Sequence, residues 1–146
     1  MRVSMDFDDT LTEDGVWQYA LELIDEGVDI WIVTARLEDK LVKEKYGRRL
    51  PSGKFWIPPG AGNKDLYKLA DAMGIPRSNI KFTNLAGKGK WFKKHSNFEW
   101  HLEDSPKQIF DIENESTVPV INVLKRDWKE QCEELLKKRD YHGYLS

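Results

Sequence analysis

The segment RVSMDFDDTLT places Asp6 and Asp8 two residues apart at the end of the first apolar run, with Asp9 beside them. Two further sets of oxygen-bearing side chains also follow apolar runs: Thr34 near the end of VDIWIVTAR, and Glu103 with Asp104 at the end of FEWHLED. A strand directs alternate side chains to the same side, so Asp6 and Asp8 share a direction while Phe7 turns away. If these runs are parallel strands of one sheet, their ends share one rim, and the ligand crevice of an open α/β sheet lies just beyond that rim. Four carboxylates and a hydroxyl gathered there repel one another unless a hard cation joins them. Such an oxygen-rich set suits Mg²⁺.

The elements that must carry these groups follow from period and punctuation. Strands are predicted at 2–7, 28–36, 79–84, 98–104 and 118–124, and helices at 14–26, about 38–48, 64–73, 88–95, 106–112 and 128–139. The first helix is expected to bury Trp17, Ala20, Leu21 and Ile24. LPSGKFWIPPGAGN, at 49–62 with its flank, reads as a long surface loop. Strands alternating with helices predict an α/β fold, a Rossmann-like three-layer sandwich with a mainly parallel five-stranded sheet and right-handed crossovers.

Bulk properties narrow the options. A chain of 146 residues fits one domain, 1–146, with room for a core and no need of staples. Its 23 basic and 25 acidic residues leave a net charge of −2, which disfavours binding of nucleic acid or membrane by bulk charge alone. The lone Cys132 has no internal disulfide partner, and no secretory signal or bilayer-length apolar run is evident; a cytoplasmic setting is the expectation.

At this point the motifs resemble those of the haloacid dehalogenase superfamily. DFDDTLT resembles its DxDxT signature, WIVTAR its second motif, and WHLEDSP its fourth, while Lys88 or Lys90 in NLAGKGKWF meets the third. The resemblance covers roughly residues 2–124 and implies a phosphatase. It makes Asp6 the nucleophile that becomes an aspartyl phosphate, and Asp8 the acid that protonates the leaving oxygen and then the base that activates water. It assigns Mg²⁺ to the Asp6 carboxylate, the Asp8 carbonyl and Asp104, with Glu103 as a partner of Asp104 or a water holder, and phosphate contacts to Thr34 and Lys88. The first gap, 13–27, holds one helix, and the gap between the second and third motifs holds two helical stretches and the 49–62 loop, too little for the separate cap domain of larger members, so a capless enzyme with an open site is expected.

Other residues carry competing readings. Asp9 suits a turn, and Glu103–Asp104 could simply begin a helix before Pro106. Arg36 either contacts substrate or is solvated. His95, His101 and His142 share no metal-ligand spacing and are assigned no chemistry. Lys88, Lys90, Lys93 and Lys94 around Trp91 and Phe92 resemble a nucleic-acid stripe, but more simply form the solvated face of a helix with an aromatic inner face. Cys132 reads as a small apolar core residue. The 49–62 loop could act as a lid, laying Phe55 or Trp56 on the substrate with help from Lys54, or could simply anchor itself to the domain.

The expected function is a Mg²⁺-dependent phosphomonoesterase acting on a small phosphorylated metabolite such as a nucleotide or sugar phosphate. Alternatives are a phosphatase of polynucleotide ends or phosphoproteins, and a catalytically silent binding protein on the same fold.

Overall fold

The apolar run at 28–36 lacks polar alternation because both of its faces are covered. The computed structural model describes residues 1–145, and side chains through Lys138; His142, expected to carry no chemistry, lies outside the described side chains. In chain order the elements are β1 (Arg2–Met5), α1 (Asp14–Asp25), β2 (Asp29–Thr34), α2 (Asp39–Tyr46), β3 (Arg48–Arg49), β4 (Phe55–Trp56), α3 (Lys64–Met73), β5 (Ile80–Phe82), α4 (Gly89–Lys94), β6 (His101–Glu103), α5 (Pro106–Glu115), β7 (Val120–Asn122) and α6 (Trp128–Leu145).

Five strands form one sheet in the order β5-β2-β1-β6-β7, and every neighbouring pair is parallel. The chain builds outward from β1 through β2 to β5, then returns past β1 to β6 and β7. Strand order therefore reverses between β1 and β6, the place where such sheets form their crevice.

The two faces are covered by different helices. Ile30 and Ile32 of β2 join Val3, Met5 and Leu102 in a cluster with Tyr19 and Leu23 of α1, Leu66 and Ala70 of α3, and Cys132 and Leu136 of α6. Val33, one step out of phase with Ile32, packs instead with Phe92 of α4 and Ile112 of α5. This is a three-layer α/β arrangement. Crossovers built outward put α1 and α3 on one face; those built after the return put α4 and α5 on the other, as one crossover handedness requires.

Two details depart from the sequence reading. The inner face of α1 is Val16, Tyr19, Ala20 and Leu23, and Leu21 is exposed. That face spans positions i, i+3, i+4 and i+7, while Trp17 is drawn to its rim by a hydrogen bond from its Nε1 to Asp14 at 3.2 Å. The stretch expected as a plain loop also holds a short antiparallel hairpin, in which Arg48 pairs with Trp56 and Arg49 with Phe55. Gly53 turns it with a φ of 84°, a conformation glycine adopts without penalty.

Candidate active site

The site begins where β1 stops. The amide of Asp6 donates to the carbonyl of Leu102 at 2.9 Å, so the β1–β6 ladder carries Asp6 to the edge of the crevice. The chain then winds through Phe7–Leu11 in one wide turn, with Asp8 extended and Asp9 left-handed at a φ of 55°. The amide of Leu11 returns to the carbonyl of Asp6 at 3.2 Å. Asp9 thus serves the turn, since aspartate tolerates the left-handed region better than most residues.

Under Asp6 runs a buried polar chain on the α4–α5 face. Ser4 and His101 are register partners on β1 and β6, and Ser4 Oγ lies 2.8 Å from His101 Nδ1. His101 Nε2 lies 3.0 Å from Glu103 Oε1. The same oxygen accepts from Lys88 Nζ at 2.5 Å, and Lys88 also donates to Asp6 Oδ1 at 2.8 Å. Ser4, Lys88, His101 and Glu103 are all fully buried. Burial pulls the His101 imidazole below its usual range and so favours the neutral ring. A neutral ring that donates from Nε2 to Glu103 accepts the Ser4 hydroxyl at Nδ1.

Glu103 stays ionised for a stated reason. Its burial opposes the charge, but the His101 and Lys88 contacts outweigh that and hold its carboxyl well below the usual range. Its second oxygen accepts the amides of Asp104 at 3.2 Å and Ser105 at 3.3 Å. Four donors fill the roughly four acceptor positions of a carboxylate. Asp6 has a weaker hold on the shared ammonium, and burial, opposed by Lys88 and reinforced by Glu103, pushes its pKa up to about 8.

Lys88 reaches this position because α4 packs tightly on α5. A Cβ on Gly89 would lie 2.5 Å from the backbone oxygen of Asp111, so only glycine allows this approach. The Gly89 amide donates to Asp111 at 2.7 Å and the Lys88 amide to Gln108 at 3.0 Å.

The opposite wall is β2. Thr34 is buried at its end, and its Oγ1 accepts the Arg36 amide at 3.3 Å. The Arg36 guanidinium binds Asp8 through two bonds of 2.9 and 2.7 Å and Asp65 through two bonds of 2.8 Å each. Arg36 is neither free nor merely solvated. It also holds the Asp65 carboxyl below its usual range.

Asp6, Asp8, Thr34, Arg36, Lys88, Glu103 and Asp104 line a single open pocket of about 240 Å³. Oxygens of Asp6, Glu103 and Asp104 lie within 4.8 Å of one another, so this acidic group could hold a metal ion. With the positions on Glu103 filled, the oxygens open to a metal are the second carboxylate oxygens of Asp6 and Asp104, whose first oxygens accept Lys88 and Thr10. Thr10 steadies Asp104, its hydroxyl donating to Oδ1 at 3.1 Å. Ionised together, Asp6, Glu103 and Asp104 exceed the one ammonium of Lys88 by two charges, a balance that a divalent cation beside Asp6 and Asp104 would restore while keeping Asp6 ionised.

The pocket decides between the two candidate lysines: Lys88 is buried within it, while Lys90 is exposed. Phe92 lies in the core and Lys93 and Lys94 are solvated, as the amphipathic reading of α4 has it. Trp56 is exposed on the hairpin and does not line this pocket, nor does Lys54. Ser4, Asp65 and His101 escaped the sequence reading, and Thr10 entered it as the last residue of the DxDxT signature without a role of its own. The serine and histidine each sat in an otherwise apolar run, and that was the available signal. Comparison of the chain with protein-family models, with curated proteins and with solved structures finds no match.

Proposed function

We propose that this chain is a phosphomonoesterase of the haloacid dehalogenase type, dependent on Mg²⁺ and working through an aspartyl phosphate. The observation that carries the reading is the meeting of Asp6, Asp8, Thr34, Lys88 and Asp104 in one pocket at the strand-order reversal. The order and spacing of the motifs support it further.

In this reading the substrate phosphate lies between Asp6 and Thr34, with Lys88 beneath. Lys88 fixes the Asp6 carboxylate through Oδ1. A carboxylate oxygen of Asp6 attacks phosphorus, the bond from phosphorus to the leaving oxygen breaks, and Asp8 gives that oxygen its proton. Water then attacks phosphorus, Asp8 takes a proton from it, and the Asp6–phosphorus bond breaks to release phosphate. Two unit negative charges at ~4 Å repel by about 4 kcal/mol at an effective dielectric near 20, and the Lys88 ammonium offsets part of that. Mg²⁺ held by Asp6, Asp104 and the Asp8 carbonyl would supply the remaining positive charge and keep Asp6 ionised.

The testing experiment is a panel of phosphomonoesters with Mg²⁺, run on the wild type beside Asp6→Asn. Hydrolysis by the wild type and loss of at least about a thousandfold in the variant is expected for removal of a nucleophile. Equal rates in the two proteins would overturn the reading.

A further inference from the structure

Charge is unevenly distributed along this chain. Residues 39–64 hold seven basic side chains against the two acids Asp39 and Glu44, a net +5, so the remainder of a chain whose total is −2 carries −7. This segment is α2, the β3–β4 hairpin and the following Pro/Gly stretch. It also exposes five large apolar side chains: Tyr46, Leu50, Phe55, Trp56 and Ile57, each between 37% and 44% accessible. Cations alternate with rings across it. Lys43 Nζ lies 4.8 Å from the centre of the Phe55 ring, Arg49 lies 5.7 Å from the same ring, and Lys45 lies 5.5 Å from that of Tyr46.

This surface leads into the candidate active site. Phe55, Ile57, Pro58, Pro59, Lys64 and Asp65 line a cleft of about 570 Å³. Asp65, on its wall, shares the Arg36 guanidinium with Asp8, so the cleft opens one guanidinium away from the residue that would serve the leaving oxygen. A pocket that shares Arg36 with the active site and Gly60 and Gly62 with this cleft joins the two, so a leaving group departing past Asp8 has a continuous path along the basic segment.

We infer that the α2 and β3–β4 segment binds single-stranded nucleic acid and feeds a terminal phosphomonoester of that strand to the pocket, an inference that rests on the phosphatase reading. Phosphates of the preceding nucleotides would meet Arg48, Arg49 and Lys54, and bases would stack on the exposed rings, the combination that binds single strands without sequence preference. The terminal nucleoside would lie beside Arg36, with the preceding nucleotide reaching the 570 Å³ cleft. A single pocket for one metabolite would need neither the basic hairpin nor its exposed rings. The whole-chain charge concealed this surface, because an acidic remainder cancels it.

The test uses the full chain, a 12-nucleotide thymidine strand with no terminal phosphate, the same strand phosphorylated at its 5′ or its 3′ end, thymidine monophosphates and a small aryl phosphate. The wild type is expected to bind the unphosphorylated strand in fluorescence anisotropy, weakening roughly 20-fold between 50 and 200 mM salt if three phosphates are contacted. One of the two phosphorylated strands should exceed its mononucleotide in kcat/KM by at least tenfold. The double variant Arg48→Glu, Arg49→Glu should abolish binding and this advantage, with aryl phosphate hydrolysis and Tm unchanged.

Equal kcat/KM for strand and mononucleotide overturns the inference while leaving the phosphatase reading intact. So does binding to phosphatidylserine vesicles without binding to the strand. If the wild type hydrolyses no phosphoester, the phosphatase reading fails. The anisotropy then still decides the surface: salt-sensitive binding lost in the double variant supports it, and no binding overturns it.

Discussion

Arg36 grips Asp8 through two parallel hydrogen bonds, Nε to Oδ2 at 2.9 Å and Nη2 to Oδ1 at 2.7 Å. The same guanidinium reaches Asp65 at the start of α3, so the orientation of the proposed acid and base depends on a helix that contributes no group to the lining of the Asp6 pocket. The two carboxylates are 52% and 60% exposed, and exposed pairs contribute at most about 1 kcal/mol each to stability. Arg36→Met should therefore leave Tm within a few degrees. It should lower kcat on an aryl phosphate by about a hundredfold, the scale of a misplaced reacting group. Asp65→Asn, which keeps the grip on Asp8, should cost less than about tenfold on the same scale. Equal losses in both variants would show that the tether to α3, and not the alignment of Asp8, is what matters.

Glu103 and Asp104 are adjacent and should behave in opposite ways. Removing the Glu103 charge leaves buried Lys88 with Asp6 as its remaining carboxylate partner, and breaking a buried ion pair costs about 3–5 kcal/mol. Glu103→Gln is thus expected to show a large drop in denaturation midpoint with or without Mg²⁺. Asp104→Ala should fold normally and lack the rise in Tm expected of the wild type in Mg²⁺, since a ligand stabilises only the state that binds it. Calorimetry in Mg²⁺ and in chelator separates the two; the same Mg²⁺ response in Asp104→Ala and wild type would remove Asp104 from the metal set.

His101 is a positioning residue in this arrangement. It acts through Glu103 on Lys88 and touches no substrate. Gln places an amide donor near the position of Nε2, whereas Asn reaches only toward Ser4. We expect His101→Gln to retain kcat within about tenfold and His101→Asn to lose about a hundredfold at similar Tm, as for other misplaced groups. If both variants lose stability but keep kcat, the ring is simply packed. Nitrogen NMR of the wild-type ring should report one neutral tautomer protonated at Nε2.

Asp29 supplies a pH test far from the pocket. Its partial burial opposes ionisation, but hydrogen bonds from Trp31 and Arg2 at 3.1 Å and from Asn79 at 2.7 Å outweigh that and hold its carboxyl below the usual range. A depressed carboxyl adds stability above its unfolded pKa, near ~3.9, and loses it as pH falls through the lower folded value. Asp29→Asn should be less stable than the wild type by about 1 kcal/mol at pH 7, given its half-exposed side chain. The gap should begin to close below about pH 4 and vanish below the lower folded value. A gap constant from pH 3 to pH 7 would mean that the loss is steric.

By itself, the sequence determined the alternation of strands and helices, the parallel sheet, and which acids and hydroxyl end at its rim. Period, β-branching and turn residues are local, and a two-residue repeat suffices to put Asp6 and Asp8 on one side. The inner face of α1 was less legible, because several rotations of that helix bury apolar residues and only its neighbours select Val16, Tyr19, Ala20 and Leu23. The partners of charged groups were not legible at all. That Lys88 and not Lys90 enters the pocket follows from how closely Gly89 approaches α5. That His101 backs Glu103, and that Arg36 is shared by Asp8 and Asp65, depends on strand register and on where α3 begins. Those are long-range distances, and a buried charge is assigned its partner by proximity in the folded chain, which spacing along the sequence does not encode.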